Sequence, residues 1–117
     1  MGPPLPVRAC VIGLGEFGLP HARAYRENPR VELVALCDIR KRALREAGRE
    51  LSVGRLYEDY SEMLEAEKNN IDIVSVATPD ESHAEIASAA LGGRDALKVA
   101  LALEESARSH KPVRLDW

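Results

Sequence analysis

The chain has 117 residues, of which 45% are hydrophobic and 30% charged, and its net charge is −3. This size predicts one domain with its own core, and the charge gives no reason to expect nucleic acid or an anionic membrane as partner. No apolar run approaches the ~20 residues that span a bilayer. Residues 1–6 lack a signal-peptide pattern and are predicted to be a disordered lead-in.

Alternating strands and helices are predicted in the first half of the chain. The apolar run 7–12 predicts a strand, and residues 17–27 a helix in which Pro20 falls in the first turn. Residues 31–37 predict a second strand. Residues 40–51 carry apolar side chains at helical spacing, although Gly48 weakens that pattern.

The second half begins with the same alternation. Residues 55–57 predict a short strand, and Asp59 or Ser61 is the expected cap of a short helix. Residues 71–77 predict another strand. Asp80 is the expected cap of a helix that Gly92 and Gly93 end. This order favours an α/β fold, a Rossmann-like doubly wound parallel sheet.

The alternation is predicted to stop after Gly93, where a further strand is due. Residues 94–109 place small apolar side chains on one stripe and favour a second consecutive helix. Residues 113–115 form a last short apolar run. We therefore predict a truncated sheet in a single domain, with 94–117 as a C-terminal helix and tail.

A glycine motif joins the first strand to the first helix. Gly13, Gly15 and Gly18 form G-x-G-x-x-G around Glu16 and Phe17. The first glycine permits a tight turn, the second lets a pyrophosphate approach the backbone, and the third lets the helix lie close to the strand. The helix N-terminus then offers N–H groups to the phosphates. These five residues are predicted to bind a dinucleotide.

Asp38 ends the second strand about 20 residues after the last glycine, the register of an acid that binds the adenosine ribose. A plain strand-end cap is the alternative. A carboxylate there repels a 2′-phosphate, so NAD is favoured over NADP. Arg40, Lys41 and Arg42 temper this preference, because a guanidinium can pair with phosphate. A solvated basic helix start is the other interpretation of these three residues.

Three further residues are candidates for cofactor contact. Thr78 and Pro79 end the fourth predicted strand at the edge of the sheet where ligands bind in open α/β folds. His83 follows on the next helix, where a packing or capping role competes with acid–base chemistry. No spacing suggests a metal site or a Ser-His-Asp set. Cys10 and Cys37 are expected to be small buried residues in a reducing compartment, the cytoplasm.

These motifs resemble the glucose-fructose oxidoreductase, inositol dehydrogenase and rhizopine-catabolism (Gfo/Idh/MocA) family. The resemblance covers residues 7–92. It rests on 11–18 with His21, on 31–38, on 71–79, on the Thr-Pro-x-x-x-His of 78–83 and on 89–91. It implies a Rossmann domain that binds NAD and works with a second α/β domain, which binds a sugar or polyol.

The resemblance also implies features that these residues lack. In the family, a strand ending in Glu-Lys-Pro follows the Ala-Leu-x-x-Gly turn, and its lysine lies near substrate and nicotinamide. No such segment is expected after Gly93, and His110-Lys111-Pro112 does not replace it. Residues 93–115 instead resemble the C-terminal end of full-length members. The chain thus resembles the N-terminal domain of the family joined directly to its C-terminal segment, without the substrate domain that lies between them.

Three functional hypotheses follow. The first is a dinucleotide-binding domain that is not catalytic alone, with no catalytic residue of its own. The second is a weakly active NAD-dependent sugar or polyol dehydrogenase whose site is shared between subunits, and the third is a structural remnant. Residues 71–77 are predicted to form an uncovered sheet edge, which favours a homodimer or a covering strand from 113–115.

Overall fold

A computed structural model describes residues 6–78, 82–91, 98–101 and 113–115. Their strands are β1 (Val7–Ile12), β2 (Val31–Cys37), β3 (Leu56–Tyr57), β4 (Ile73–Val76), β5 (Lys98–Leu101) and β6 (Val113–Leu115). Their helices are α1 (Gly18–Glu27), α2 (Lys41–Leu51), α3 (Tyr60–Ala66) and α4 (Ser82–Leu91). The α/β fold is confirmed. The predicted lead-in lies almost wholly outside the described residues.

The described strands form one sheet in the order β3-β2-β1-β4-β5-β6. Strands β1 to β5 run parallel, whereas β6 is antiparallel to β5. The order is that of a doubly wound dinucleotide-binding sheet. Strands β2 and β3 are added on one side of β1, and β4 and β5 are added on its other side. A ligand crevice is therefore expected outside the carboxyl ends of β1 and β4.

Both faces of β1 and β2 are covered, as their apolar sequences predict. Successive residues of β1 alternate between faces, so Val11 packs with α1 and α2 while Cys10 and Ile12 pack with α3 and α4. The same alternation in β2 separates Leu36 from Ala35 and Cys37. The ends of β1 and β2 are thus the parts of these strands that a ligand can reach.

The predicted helix over residues 94–109 is wrong where the structure describes it. Residues Lys98–Leu101 form β5, which pairs parallel with β4 through Val74 and Val99. A short apolar run fits a buried strand as well as a helix, and the ladder that β4 offers decides between them. The other residues of 94–109 lie outside the described part.

The uncovered edge predicted at residues 71–77 is also wrong. Strand β4 lies between β1 and β5 and is not an edge. Residues Val113–Leu115 do add a strand, but they pair with β5, not with β4. The argument for a homodimer from an open β4 edge therefore loses its premise.

A buried carboxylate holds the short edge strand β3. The Glu67 side chain is 1% exposed, and its oxygens accept hydrogen bonds from Arg55 Nη1 at 2.7 Å and from the Tyr57 hydroxyl at 2.6 Å. Burial alone would raise the pKa of Glu67, but the bonds from Tyr57, Asn70 and Arg55 outweigh it and lower the pKa. This network fastens β3 to the end of α3, whose N-cap is Asp59.

Cys10 and Cys37 are free and buried. Burial, the main cause, raises the pKa of each thiol from 9.0 to about 12. Because the thiolate is the nucleophile, neither residue is reactive at neutral pH. Both act as small core residues, as expected.

Candidate functional site: the glycine loop and Asp38

The glycine loop leaves β1 between the ends of its two neighbouring strands. Gly13 has φ +95°, and a Cβ on it would lie 2.8 Å from the Ala77 carbonyl carbon and 2.9 Å from the Thr78 nitrogen. Its N–H donates to the Cys37 carbonyl at 2.8 Å. Backbone conformation and lack of space both require glycine here. The turn thus meets the carboxyl ends of β2 and β4.

Gly18 brings α1 against this turn. A Cβ on Gly18 would lie 1.6 Å from the Gly13 oxygen and 3.1 Å from the Ala77 Cβ. No side chain fits in this contact. The third glycine therefore has the packing role that the motif predicts.

Gly15 has a different environment from the other two glycines. A Cβ on it would meet only Arg40 Nη2, at 3.5 Å, which is an ordinary contact. No protein group in the described residues needs glycine at this position. A ligand that approaches the backbone would need it, as the pyrophosphate of a dinucleotide does.

The N-terminus of α1 is open to an anion. Within the described residues no side chain caps it at Phe17, and its first turn has no acidic residue. The Leu19 N–H already donates to the Gly15 carbonyl at 3.1 Å and Pro20 has no N–H, so the first turn attracts an anion chiefly through the positive end of the helix dipole. Glu16 is exposed and Phe17 half-buried in the turn before it. The loop therefore fits a phosphate group of a dinucleotide.

Asp38 lies beside this loop with its side chain only 4% exposed. Its Oδ2 accepts a hydrogen bond from the Leu14 N–H at 2.7 Å, which joins the end of β2 to the glycine turn. Burial would raise the pKa of Asp38, but hydrogen bonds from Arg40 and Leu14 outweigh it and lower the pKa. The residue is a carboxylate at neutral pH.

Arg40 pairs with Asp38 through two side-chain bonds. Its Nε lies 3.1 Å from Oδ1 and its Nη2 lies 2.9 Å from Oδ2, while its N–H also donates to Oδ1 at 2.8 Å. Arg40 is thus more than a solvated residue at the start of the helix. Arg42 is a solvated residue, since its side chain is 91% exposed and pairs within α2 with Glu46. The Lys41 Nζ lies 4.0 Å from Glu58 Oε1 at the surface.

The other candidates are placed less fully. Thr78 is half-buried, and its backbone adjoins Gly13. Pro79 lies outside the described residues. His83 belongs to α4, but the description does not extend to its side chain. His21 is half-buried on α1, where burial lowers the pKa of its imidazole.

Sequence reasoning missed the contacts that immobilise Asp38. The Leu14 amide has no side-chain signature, so no motif could reveal its bond to the carboxylate. The spacing Asp-x-Arg does carry a signal, because a residue two positions after a strand-end carboxylate can fold back on it. Among the described residues, no three His, Cys, Asp or Glu side chains converge to hold a metal, and no helix has the length and apolarity to cross a membrane.

Comparison with known proteins agrees with this geometry. Residues 7–97 match the model of the Gfo/Idh/MocA family, described as an oxidoreductase family with a NAD-binding Rossmann fold. The chain is 41% identical over 76 residues to D-apiose dehydrogenase from Paraburkholderia graminis, covering 65% of this chain and 20% of that protein. It thus spans about a fifth of that relative.

Solved structures show the same fold. The myo-inositol 2-dehydrogenase of Lactobacillus plantarum superposes with a TM-score of 0.74 at 35% identity, over 82% of this chain and 27% of that one. The scyllo-inositol dehydrogenase of Lactobacillus casei, solved with NAD(H) and scyllo-inositol, gives 0.71 at 25% identity, over 80% and 27%. The chain therefore belongs to the Gfo/Idh/MocA family of oxidoreductases, and residues 7–97 match its NAD-binding Rossmann domain.

Proposed function

We propose that these 117 residues bind NAD(H) through the glycine loop and Asp38. The observation that carries the proposal is the loop at Gly15, which is open to a ligand and is followed by an uncapped helix N-terminus. In the bound state the pyrophosphate lies against Gly15, Gly13 and Gly18 shape the turn that holds it, and Glu16 and Phe17 supply loop backbone.

The adenosine ribose is proposed to bind at Asp38, beside Arg40. A buried carboxylate favours the free 2′-hydroxyl, so NAD is preferred to NADP. Thr78, Pro79 and His83 are proposed to complete the nucleotide contact at the carboxyl end of β4, since the Thr78 backbone adjoins Gly13. The family description and the NAD(H) in the L. casei relative support this assignment.

We further propose that the 117 residues do not oxidise a sugar or polyol by themselves. Hydride transfer needs a substrate held against the nicotinamide and a group that moves a proton. A strand does follow Gly93, but the sequence after β5 is Ala102-Leu103-Glu104 and not Glu-Lys-Pro.

The test is turnover with NAD and myo-inositol, scyllo-inositol, glucose or apiose, followed by NADH absorbance. We expect no rate above the protein-free background, while a full-length inositol dehydrogenase serves as positive control. A rate that is lost in His83→Ala or Lys111→Ala would favour the rival, a dehydrogenase site shared between subunits. Turnover in the unmutated chain would contradict the proposal.

A homodimer is proposed on the outer edge of β6, the last strand of the described sheet. An edge strand presents unpaired backbone groups that a second chain can pair with. Light scattering at micromolar concentration should give twice the mass of the 12.8 kDa chain, and a strict monomer would contradict this.

The cytoplasm is the proposed location, because both thiols are free and buried. A disulfide in the isolated native protein would oppose it.

A further inference from the structure

The Asp38 carboxylate has no vacant position for a ribose. A carboxylate offers about four lone-pair sites. Oδ2 accepts from the Leu14 N–H and Arg40 Nη2, and Oδ1 accepts from the N–H and Nε of Arg40. Two of these bonds come from the backbone and two from one guanidinium. Ribose hydroxyls can bind both oxygens only where that guanidinium withdraws.

The same guanidinium lies between Asp38 and the glycine loop. Arg40 Nη2 is 2.9 Å from Asp38 Oδ2 and 3.5 Å from the position that a Cβ on Gly15 would take. It therefore covers the path that joins the pyrophosphate position to the ribose position. The Arg40 side chain is 58% exposed, so it can turn outward into solvent while its backbone N–H keeps its bond to Oδ1.

We propose that Arg40 is a specificity-determining residue, which competes with the ribose of NAD for Asp38 and pairs with the 2′-phosphate of NADP. The inference rests on the proposed function and deepens it. With NAD, the pair between Arg40 and Asp38 must break before the hydroxyls bind, and this lowers the affinity. With NADP, the displaced guanidinium meets a phosphate, and its charge offsets the repulsion by Asp38.

The pair between Arg40 and Asp38 is expected to reduce the difference in affinity between NAD and NADP. A bare carboxylate at the end of β2 would exclude NADP by charge alone. A carboxylate with its own guanidinium presents a nearly neutral pair to either cofactor. The chain is therefore expected to bind both cofactors, NAD more tightly, with the difference between them set by Arg40.

The experiment compares Arg40→Met with the unmutated chain by calorimetric titration of NAD and NADP. Methionine keeps the backbone N–H and a side chain of similar length, but it removes the guanidinium. Arg42→Met is the matched control, because it removes the same charge from a 91% exposed side chain that does not contact Asp38. Thermal unfolding of each variant verifies that it is folded.

We expect Arg40→Met to bind NAD about two- to fivefold more tightly, the range of a half-exposed ion pair. Its affinity for NADP should fall about tenfold, the loss of one charge-assisted phosphate contact. Arg42→Met should alter neither by more than about twofold. Equal weakening of both cofactors, unchanged affinities, or an unmutated chain that binds NAD but no NADP would overturn the inference. A folded chain that binds neither would instead refute the proposed function, and the inference with it.

Discussion

Gly15→Val is expected to lower the affinity for NAD by a factor of about 100 or more while the chain stays folded. The backbone of Gly15 lies outside the left-handed region, where only Gly13 is found among the described glycines. The nearest atom to its Cβ position is a movable guanidinium nitrogen at 3.5 Å. The fold therefore accepts a side chain at this position, but the pyrophosphate does not, because valine would occupy its place against the loop.

Calorimetric titration measures this loss, and Gly54→Val is the matched control. A Cβ on Gly54 would have no atom within 4 Å, and the residue has no positive φ. Gly54→Val should therefore bind NAD as the unmutated chain does, with a similar melting temperature. Equal affinity in Gly15→Val and the unmutated chain would contradict the assignment of the loop to the pyrophosphate.

Gly18→Ala is expected to destabilise the fold by at least about 3 kcal/mol, a large part of the ~5–15 kcal/mol that typically stabilises a domain. The added Cβ would lie 1.6 Å from a backbone oxygen of Gly13, which cannot turn aside as a side chain can. Helix propensity alone predicts the opposite sign, because alanine is favoured over glycine in a helix, by up to about 1 kcal/mol in the interior and less at a first position such as Gly18. The sign of the change therefore distinguishes close packing from propensity.

Urea unfolding followed by circular dichroism measures this change. Gly54→Ala adds the same methyl group in open space and should alter the free energy of unfolding by less than about 0.5 kcal/mol. A Gly18→Ala variant as stable as the unmutated chain would show that α1 does not approach the turn as closely as described.

Local patterns were sufficient to predict the elements from β1 to α4. The glycine spacing and the helical stripe of α2 favour the observed turn and helix, and the predicted strands lie within two residues of the observed bounds. Residues 98–101 were predicted wrongly, because a run of Lys, Val, Ala and Leu fits a helix or a buried strand. Only the position of β4 beside it selects the strand. Long-range pairing of this kind has no local signature.

The candidate site likewise has a part that sequence predicts and a part that it does not. The position of Asp38 next to the glycine loop follows from strand register, so sequence sufficed to predict it. The bonds from Arg40 depend on which of several directions a long side chain takes, and sequence leaves those directions open. The buried Glu67 also escaped prediction, because its partners Arg55 and Tyr57 come from a separate element.

A crystal structure of the chain with NAD is the most direct test of the central claim. We predict that the pyrophosphate lies against the backbone at Gly15 and that the ribose hydroxyls donate to the Asp38 carboxylate. The Arg40 guanidinium should be turned away from Asp38. NAD bound elsewhere on the chain, or a folded chain that takes up no NAD from millimolar solution, would contradict the account.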